Sequence, residues 1–258
     1  MPSASCVSAT PCPSPGRRML SWRRNTTPAT QWPAYLADRA RQARDPRLQR
    51  YFQGWDLTPN TPIGEAPLVA LDMETTGLDP DRHAIVSIGL VPFDLQRIRL
   101  PDRRHWLLQP PRPLLSESIT LHGITHSDLA NAPDLSEVLD ELLEALAGRQ
   151  PVVHYRNIER PFLDTAVRAR VGEGLLFPVI DTMELEARRH RQSGWSRLKR
   201  FLGQNPVPIR LHDSRLRYGL PAYHSHHAVN DALATAELFQ AQVGRLYSPE
   251  TSLGQLWC

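Results

Sequence analysis

The segment Leu68-Val-Ala-Leu-Asp72-Met73-Glu74-Thr75-Thr76-Gly77-Leu78-Asp79-Pro80 constrains this chain more than any other. An apolar run ends abruptly in two carboxylates two positions apart, and a Thr-Thr-Gly turn follows. The run reads as a buried strand, and on a strand residues i and i+2 point to the same side. Asp72 and Glu74 therefore aim together from its end. Two like charges so close repel each other, and burial raises the cost. A cation between them removes that cost, and hard oxygen ligands suit Mg²⁺ or Mn²⁺. A strand ending in a solvated acidic turn would explain a bare Asp-x-Glu. It explains less well a pair flanked by Val-Ala-Leu and Thr-Thr-Gly-Leu-Asp-Pro.

A length of 258 residues, 41% of them hydrophobic, accommodates one sizeable α/β domain plus an extension. The formal charge of +3 and pI of about 9.0 permit a polyanionic partner without demanding one. Lys199 is the only lysine, so the basic charge is nearly all arginine, which suits phosphate. Cys6, Cys12 and Cys258 lie near the ends and define no disulfide or zinc framework, which fits a reducing cytosol. No apolar stretch approaches the ~20 residues of a membrane span. Met1–Gly16 is small, polar and Pro-rich and does not read as a secretory signal. A cytoplasmic location is therefore expected.

Residues 1–30 read as disordered, or as translated from upstream of a true start at Met19. Residues 31–65 form a helical arm and linker, with a helical pattern over Pro33–Phe52 interrupted at Pro46. Trp32, Tyr35 and Trp55 are expected to pack this arm onto the domain; the rival reading is a partner-binding arm. The main domain spans 66–247, and 248–258 is a tail. Strands are expected over Leu68–Met73, Ala84–Phe93 and Arg104–Gln109, the short intervals making an antiparallel meander. Helix Leu135–Ala147 follows a capping Asp134. Strand Pro151–His154, helix Asn157–Val171 with Pro161 in its first turn, and short strand Val179–Asp181 come next. Helices then follow over Thr182–Arg191, Ser196–Leu202 and Ala228–Leu246. This order predicts an α/β fold, a mixed five-stranded sheet flanked by helices.

Two further clusters lie downstream. The segment Val152-Val153-His154-Tyr155-Arg156-Asn157-Ile158-Glu159-Arg160-Pro161-Phe162-Leu163-Asp164 offers two carboxylates. Five helical residues turn the chain by roughly 500°, so Asp164 lies roughly 140° around from Glu159 and both cannot face one metal. Glu159 sits near the strand end, where a dipole partner is its alternative role; Asp164 reads as a solvated helix residue. The third cluster is His224-Ser225-His226-His227-Ala228-Val229-Asn230-Asp231-Ala232-Leu233-Ala234-Thr235-Ala236, for which a surface histidine group is the alternative.

Leu71–Leu78 resembles the first motif of the DEDD 3′–5′ exonuclease superfamily, which includes the proofreading epsilon subunit of bacterial DNA polymerase III. The second motif, His-Asn-x-x-Phe-Asp, aligns its metal-binding Asp with Glu159; Tyr155 and Ile158 also depart from it. The third, His-x-Ala-x-x-Asp-Ala-x-x-Thr-Ala, aligns with His226 and Asp231, a spacing that marks the DEDDh branch. The resemblance covers about residues 66–247 and implies a ribonuclease-H-like fold. It implies that Asp72, Glu74, Glu159 and Asp231 hold two Mg²⁺ or Mn²⁺ ions, with Asp72 bridging. His226 would take the proton from the attacking water, an imidazole titrating near working pH. His224 and His227 have weaker claims to that role.

Met73, Thr75, Thr76, Gly77, Leu78 and His122, the last within Ile119-Thr120-Leu121-His122-Gly123-Ile124-Thr125, would contact the 3′ nucleotide. Asp181 is expected only to cap a helix, and Arg188–Arg200 to touch nucleic-acid backbone or to form a solvated face. The implied activity is release of nucleoside 5′-monophosphates from single-stranded or frayed DNA, with DNA favoured over RNA as partner. The alternatives are an RNA-directed exonuclease similar to ribonuclease T or oligoribonuclease, and a catalytically weak nucleic-acid-binding module. The chain ends soon after its last helix, so a stable polymerase association is not expected, and the protein partner is open.

Overall fold

The structure, a computed structural model, describes residues 31–111, 122–192 and 205–258. In chain order the helices are α1 (Trp32–Gln42), α2 (Pro46–Gln53), α3 (His126–Leu129), α4 (Leu135–Leu146), α5 (Arg156–Val171), α6 (Thr182–His190), α7 (Leu211–Arg217), α8 (Ala228–Leu246) and α9 (Leu253–Leu256). The strands are β1 (Leu68–Thr75), β2 (Ile85–Phe93), β3 (Arg104–Leu107), β4 (Gln150–Val153) and β5 (Ile180–Asp181). They form one mixed sheet in the order β3-β2-β1-β4-β5. β2 runs antiparallel to β1 and β3, whereas β4 runs parallel to β1 and β5.

The alternation of β1 creates two cores. Val69, Leu71 and Met73 enter the layer built with α4 and α5, and Leu68 and Ala70 enter the layer built with α8. Asp72 and Glu74 continue the second face. The expected meander and the alternating β and α units are present. β3 stops at Leu107, two residues short of its expected end. α3, α7 and α9 are too short to carry a periodic signal. The helix expected over Ser196–Leu202 and the N-terminal 1–30 lie outside the described residues.

The arm packs as its apolar spacing requires. Trp32, Leu36, Leu48, Tyr51 and Phe52 are all buried, each burial contributing about 2 kcal/mol before the entropy of ordering is offset. Pro46 breaks the arm where expected, because a proline at the first helical position sacrifices an N–H that the helix does not use. Asp45 caps α2 through the Arg47 amide at 2.9 Å. Glu173, just past α5, accepts from the Arg44 and Asp45 amides at 2.7 and 2.8 Å and pairs with Arg39 at 3.0 Å. The free edge of β5 is covered by Trp257, bridged to Ile180, and by the Cys258 amide on the Val179 carbonyl at 3.0 Å.

Topology places the crevice. β4 pairs with β1 only from Leu68 to Ala70, and the chain then turns into α5. Beyond Ala70, β1 has β2 alone beside it, so a cleft opens at the carboxyl ends of two parallel strands. Asp72 and Glu74 emerge there. Across β2 the residue facing Asp72 is Gly89. A Cβ on Gly89 would collide with the main chain of Ala228 and Val229, so the missing side chain is what lets α8 come down onto the sheet.

Gly89→Ala should therefore cost about 1–3 kcal/mol of overpacking, read as a lower urea midpoint. Gly244→Ala, at a position in α8 with open space around it, should leave the midpoint unchanged or raise it.

Candidate active site

Asp72 and Glu74 share a face of β1, and Asp231 lies in the first turn of α8. Their carboxylate oxygens lie within 4.8 Å of one another. The strand delivers the first two through the two-residue repeat, and a register shift after Glu74 ends the regular ladder. Burial and the charges of Asp231, Glu159 and Glu74 push Asp72 far above the usual carboxylate range. Glu74 rises to about 7, through burial first and Asp231 second. Asp231 is also raised by burial, against the opposing pull of the His226 amide, which donates to its Oδ2 at 2.9 Å.

Glu159 stands in the first turn of α5, 3% exposed, and its charge adds to the shift of Asp72. Its own acidity is depressed chiefly by burial. Asp164 differs from expectation: it is buried, not solvated, and pairs with Arg168 at 3.1 Å. The helical rotation between the two residues explains the difference, since it turns Asp164 toward the glycine-rich turn after α5. Pro161 is also deeper than expected, the sixth residue of α5 and not part of its first turn.

The other residues singled out from the sequence are placed as follows. His226 is exposed and adopts φ 66°, a left-handed conformation that a residue with a Cβ takes only at a cost. His122 is buried, and its ring is made less basic by burial and by the nearby His226. Its Nδ1 accepts from the Ile124 amide at 3.1 Å, and its Nε2 has no partner among the described residues. Residues Ile119–Leu121 of that segment lie outside the described residues. Thr76 is tied to the far side of its turn, donating through its amide to the Ala84 carbonyl at 2.9 Å and accepting the Ala84 amide at Oγ1 at 3.0 Å. Thr75 donates to the Gly77 carbonyl at 2.7 Å, and Leu78 is 68% exposed beside the cleft. Met73 does not face the cleft: the strand repeat that aims its neighbours there turns its side chain into the core.

Asp181 caps α6, as expected, through the Met183 and Glu184 amides. It also accepts from the Tyr155 and Arg156 amides at 3.0 Å, which caps α5 as well. Arg188 and Arg191 of the basic run donate to the Gln255 and Val207 carbonyls, and the part of that run from residue 193 onward lies outside the described residues. Two residues went unnoticed in the sequence. His83 lies across Gly77, whose missing Cβ makes room for its ring. Tyr223 has its phenol pushed up by burial and by the neighbouring Asp231 carboxylate, and its ring lies 4.9 Å from the buried Arg215 guanidinium. No periodic or motif signal marks either one.

The donor set fits a hard divalent cation. Asp72, Glu74 and Asp231 offer only oxygen and are largely buried, and Asp231 Oδ1, like Oε2 of Glu159 outside that set, has no hydrogen-bond partner among the described residues.

A mixed sheet with converging carboxylates at its cleft is the ribonuclease-H-like arrangement of nucleases. The family model described as Exonuclease, of the ribonuclease T type, matches residues 69–239, and the chain belongs to that family. The family implies use of a divalent metal. The PolC-type DNA polymerase III of Thermotoga maritima is 31% identical over 184 residues, covering 71% of this chain and 12% of that protein. The chain thus spans about an eighth of the length of the PolC-type relatives it matches. The DNA polymerase III subunit epsilon of Treponema pallidum is 28% identical over 174 residues, covering 67% of this chain and 75% of that one. Among solved structures, the nuclease domain of 3′hExo, a DEDDh family member, bound to rAMP, superposes with a TM-score of 0.57 at 15% identity, covering 70% of this chain and 92% of that one. Exonuclease X in complex with 5′ overhanging duplex DNA superposes with a TM-score of 0.53 at 22% identity, covering 72% and 96%. These two likenesses concern the fold.

The raised Glu74 gives a pH signature. Without metal, the folded state holds a proton on Glu74 between about pH 4.5 and 7 that the unfolded state has released. Stability should therefore fall as pH rises through this window, by about 3 kcal/mol from this group. Urea midpoints measured in chelator should decline accordingly, Glu74→Gln should flatten the decline, and added Mn²⁺ at pH 8 should restore the midpoint.

Proposed function

We propose that this exonuclease removes nucleotides from the 3′ end of single-stranded or frayed DNA, releasing nucleoside 5′-monophosphates. The observation that carries the reading is the convergence of Asp72, Glu74 and Asp231 within 4.8 Å, with Glu159 close enough to act on Asp72. In this reading Asp72, Glu74, Glu159 and Asp231 would hold two divalent ions, Mg²⁺ or Mn²⁺, which would supply charge stabilisation for hydrolysis of the phosphodiester.

The chain's own residues do the rest. His226 accepts the proton of the attacking water. Its exposed side chain and its place in the segment leading into α8 allow it to meet bound substrate, while its amide holds Asp231. Thr75, Thr76 and Gly77 present a turn to the terminal phosphate, and the exposed Leu78 offers an apolar edge to the last base. His122, whose buried Nε2 has no hydrogen-bond partner among the described residues, would donate to the terminal nucleotide in this reading. A contact from Met73 would have to come from its main chain. Glu159 in place of an aspartate reaches one methylene farther, which favours an altered choice between Mg²⁺ and Mn²⁺.

DNA is the preferred substrate because the similar PolC-type and epsilon proteins are named as DNA polymerase III components. The unit that carries the activity is residues 66–247, with 31–65 and 248–258 packed against it. No helix among the described residues is long and apolar enough to cross a membrane.

The test is single-turnover digestion of matched 5′-labelled single-stranded DNA and RNA, with Mg²⁺ and then Mn²⁺. Wild type should give a ladder shortening from the 3′ end of DNA. Asp72→Ala and Glu159→Gln should each lose at least about a hundredfold in rate. Full activity in Glu159→Gln would remove Glu159 from the metal site. Faster digestion of RNA would reassign the substrate. Binding without turnover in either metal would leave a nucleic-acid-binding module.

A further inference from the structure

The turn that carries Glu159 is weakly held by its own helix. Pro161 follows it by two residues and has no N–H to return to the Asn157 carbonyl, so one bond linking that turn to the next is missing. The residue before a proline is also biased away from helical geometry, and here that residue is Arg160. At the other end, Tyr155 enters the helix with φ 94° and no side-chain cap of its own. A carboxylate in such a turn is placed by whatever grips the turn from outside.

Two grips are present. Asp181 takes the Tyr155 and Arg156 amides. The second grip is on Arg160 and comes from the ends of the described chain. Arg160 is 4% exposed, and its Nη2 donates to the Cys258 main-chain oxygen at 2.6 Å. Its guanidinium carbon lies 4.9 Å from the ring centroid of Trp32, the first residue of α1. The Trp32 indole Nε1 donates to the same Cys258 oxygen at 3.0 Å. Trp32, Arg160 and Cys258 thus close a largely buried triangle against the start of α5. A guanidinium over an indole face, sharing one acceptor with that indole, has little freedom left.

We propose that Arg160 is a positioning residue for the Glu159 carboxylate, and that the N-terminal arm, through Trp32, thereby sets the affinity of the cation site to which Glu159 contributes. The inference rests on the reading of Glu159 as a metal ligand. It gives the arm a role in the reaction beyond covering apolar surface. Removing a residue that orients a ligand typically weakens a metal 10- to 100-fold, whereas a packing defect lowers stability and leaves the affinity of the folded molecule unchanged.

The experiment counts bound Mn²⁺ by electron paramagnetic resonance of the free ion, on the full chain with thymidine 5′-monophosphate present, alongside urea midpoints. Wild type should bind two Mn²⁺, and Glu159→Gln should lose one of them. Arg160→Met and Trp32→Leu should weaken that same site about tenfold and spare the other. Arg160→Lys and Trp32→Phe, which keep the charge and the ring, should fall between wild type and those variants, and they report if the harsher changes prevent folding. Both sites unchanged in Arg160→Met or Arg160→Lys, with only the urea midpoint lowered, would overturn the proposal. So would equal weakening of both sites. If Glu159→Gln itself retains both ions, the ligand reading falls and takes the proposal with it; loss in Glu159→Gln without loss in the Arg160 and Trp32 variants refutes the positioning role alone.

Discussion

The repulsion among buried carboxylates at the cleft is the constraint that the rest of this structure serves. Asp72, Glu74, Glu159 and Asp231 come from a strand and two helices that have no local reason to meet, and each pays for burial by holding its proton more tightly. Left to themselves such groups would separate or find solvent. They are kept together by the two apolar layers on either side of β1. The stored repulsion is also the affinity for a cation, because a metal that relieves it returns the energy spent in assembling the site.

Close approach of backbone elements does much of the placing. Gly89 lets α8 sit on β2 directly above the row containing Asp72, and the His226 amide ties Asp231 to the segment that leads into that helix. The strained φ of His226 is the cost of putting an amide on a carboxylate while leaving the imidazole outside. On the other side of the cleft, Glu159 depends on a turn that its own helix supports poorly. One cluster is therefore held by a missing side chain on one flank and by external ties on the other.

Much of this was legible in the sequence, because strand and helix periods are local. The two-residue repeat brought Asp72 and Glu74 to one face, and the same repeat should have removed Met73 from the cleft. Helical rotation separated Glu159 from Asp164, whose ion pair with Arg168 is an i,i+4 pair within α5, but its burial depended on the glycine-rich turn after that helix. Asp181 was read as the cap of α6; its grip on α5 arises between residues 26 positions apart and leaves no pattern. Tyr223 and His83 escaped for the same reason, since each acquires its place only when a distant element arrives. The triangle of Trp32, Arg160 and Cys258 joins three segments with no shared motif, so only coordinates reveal it.

Asp181 accepts four main-chain amides from the starts of two helices, α5 and α6. A single acceptor serving two helix origins cannot release one without weakening its hold on the other. The two helices therefore belong to one opening event: a fluctuation that frays the start of α6 also loosens the turn bearing Glu159. Local melting on the outer edge of the sheet is in this way converted into a fault at the centre of the cleft.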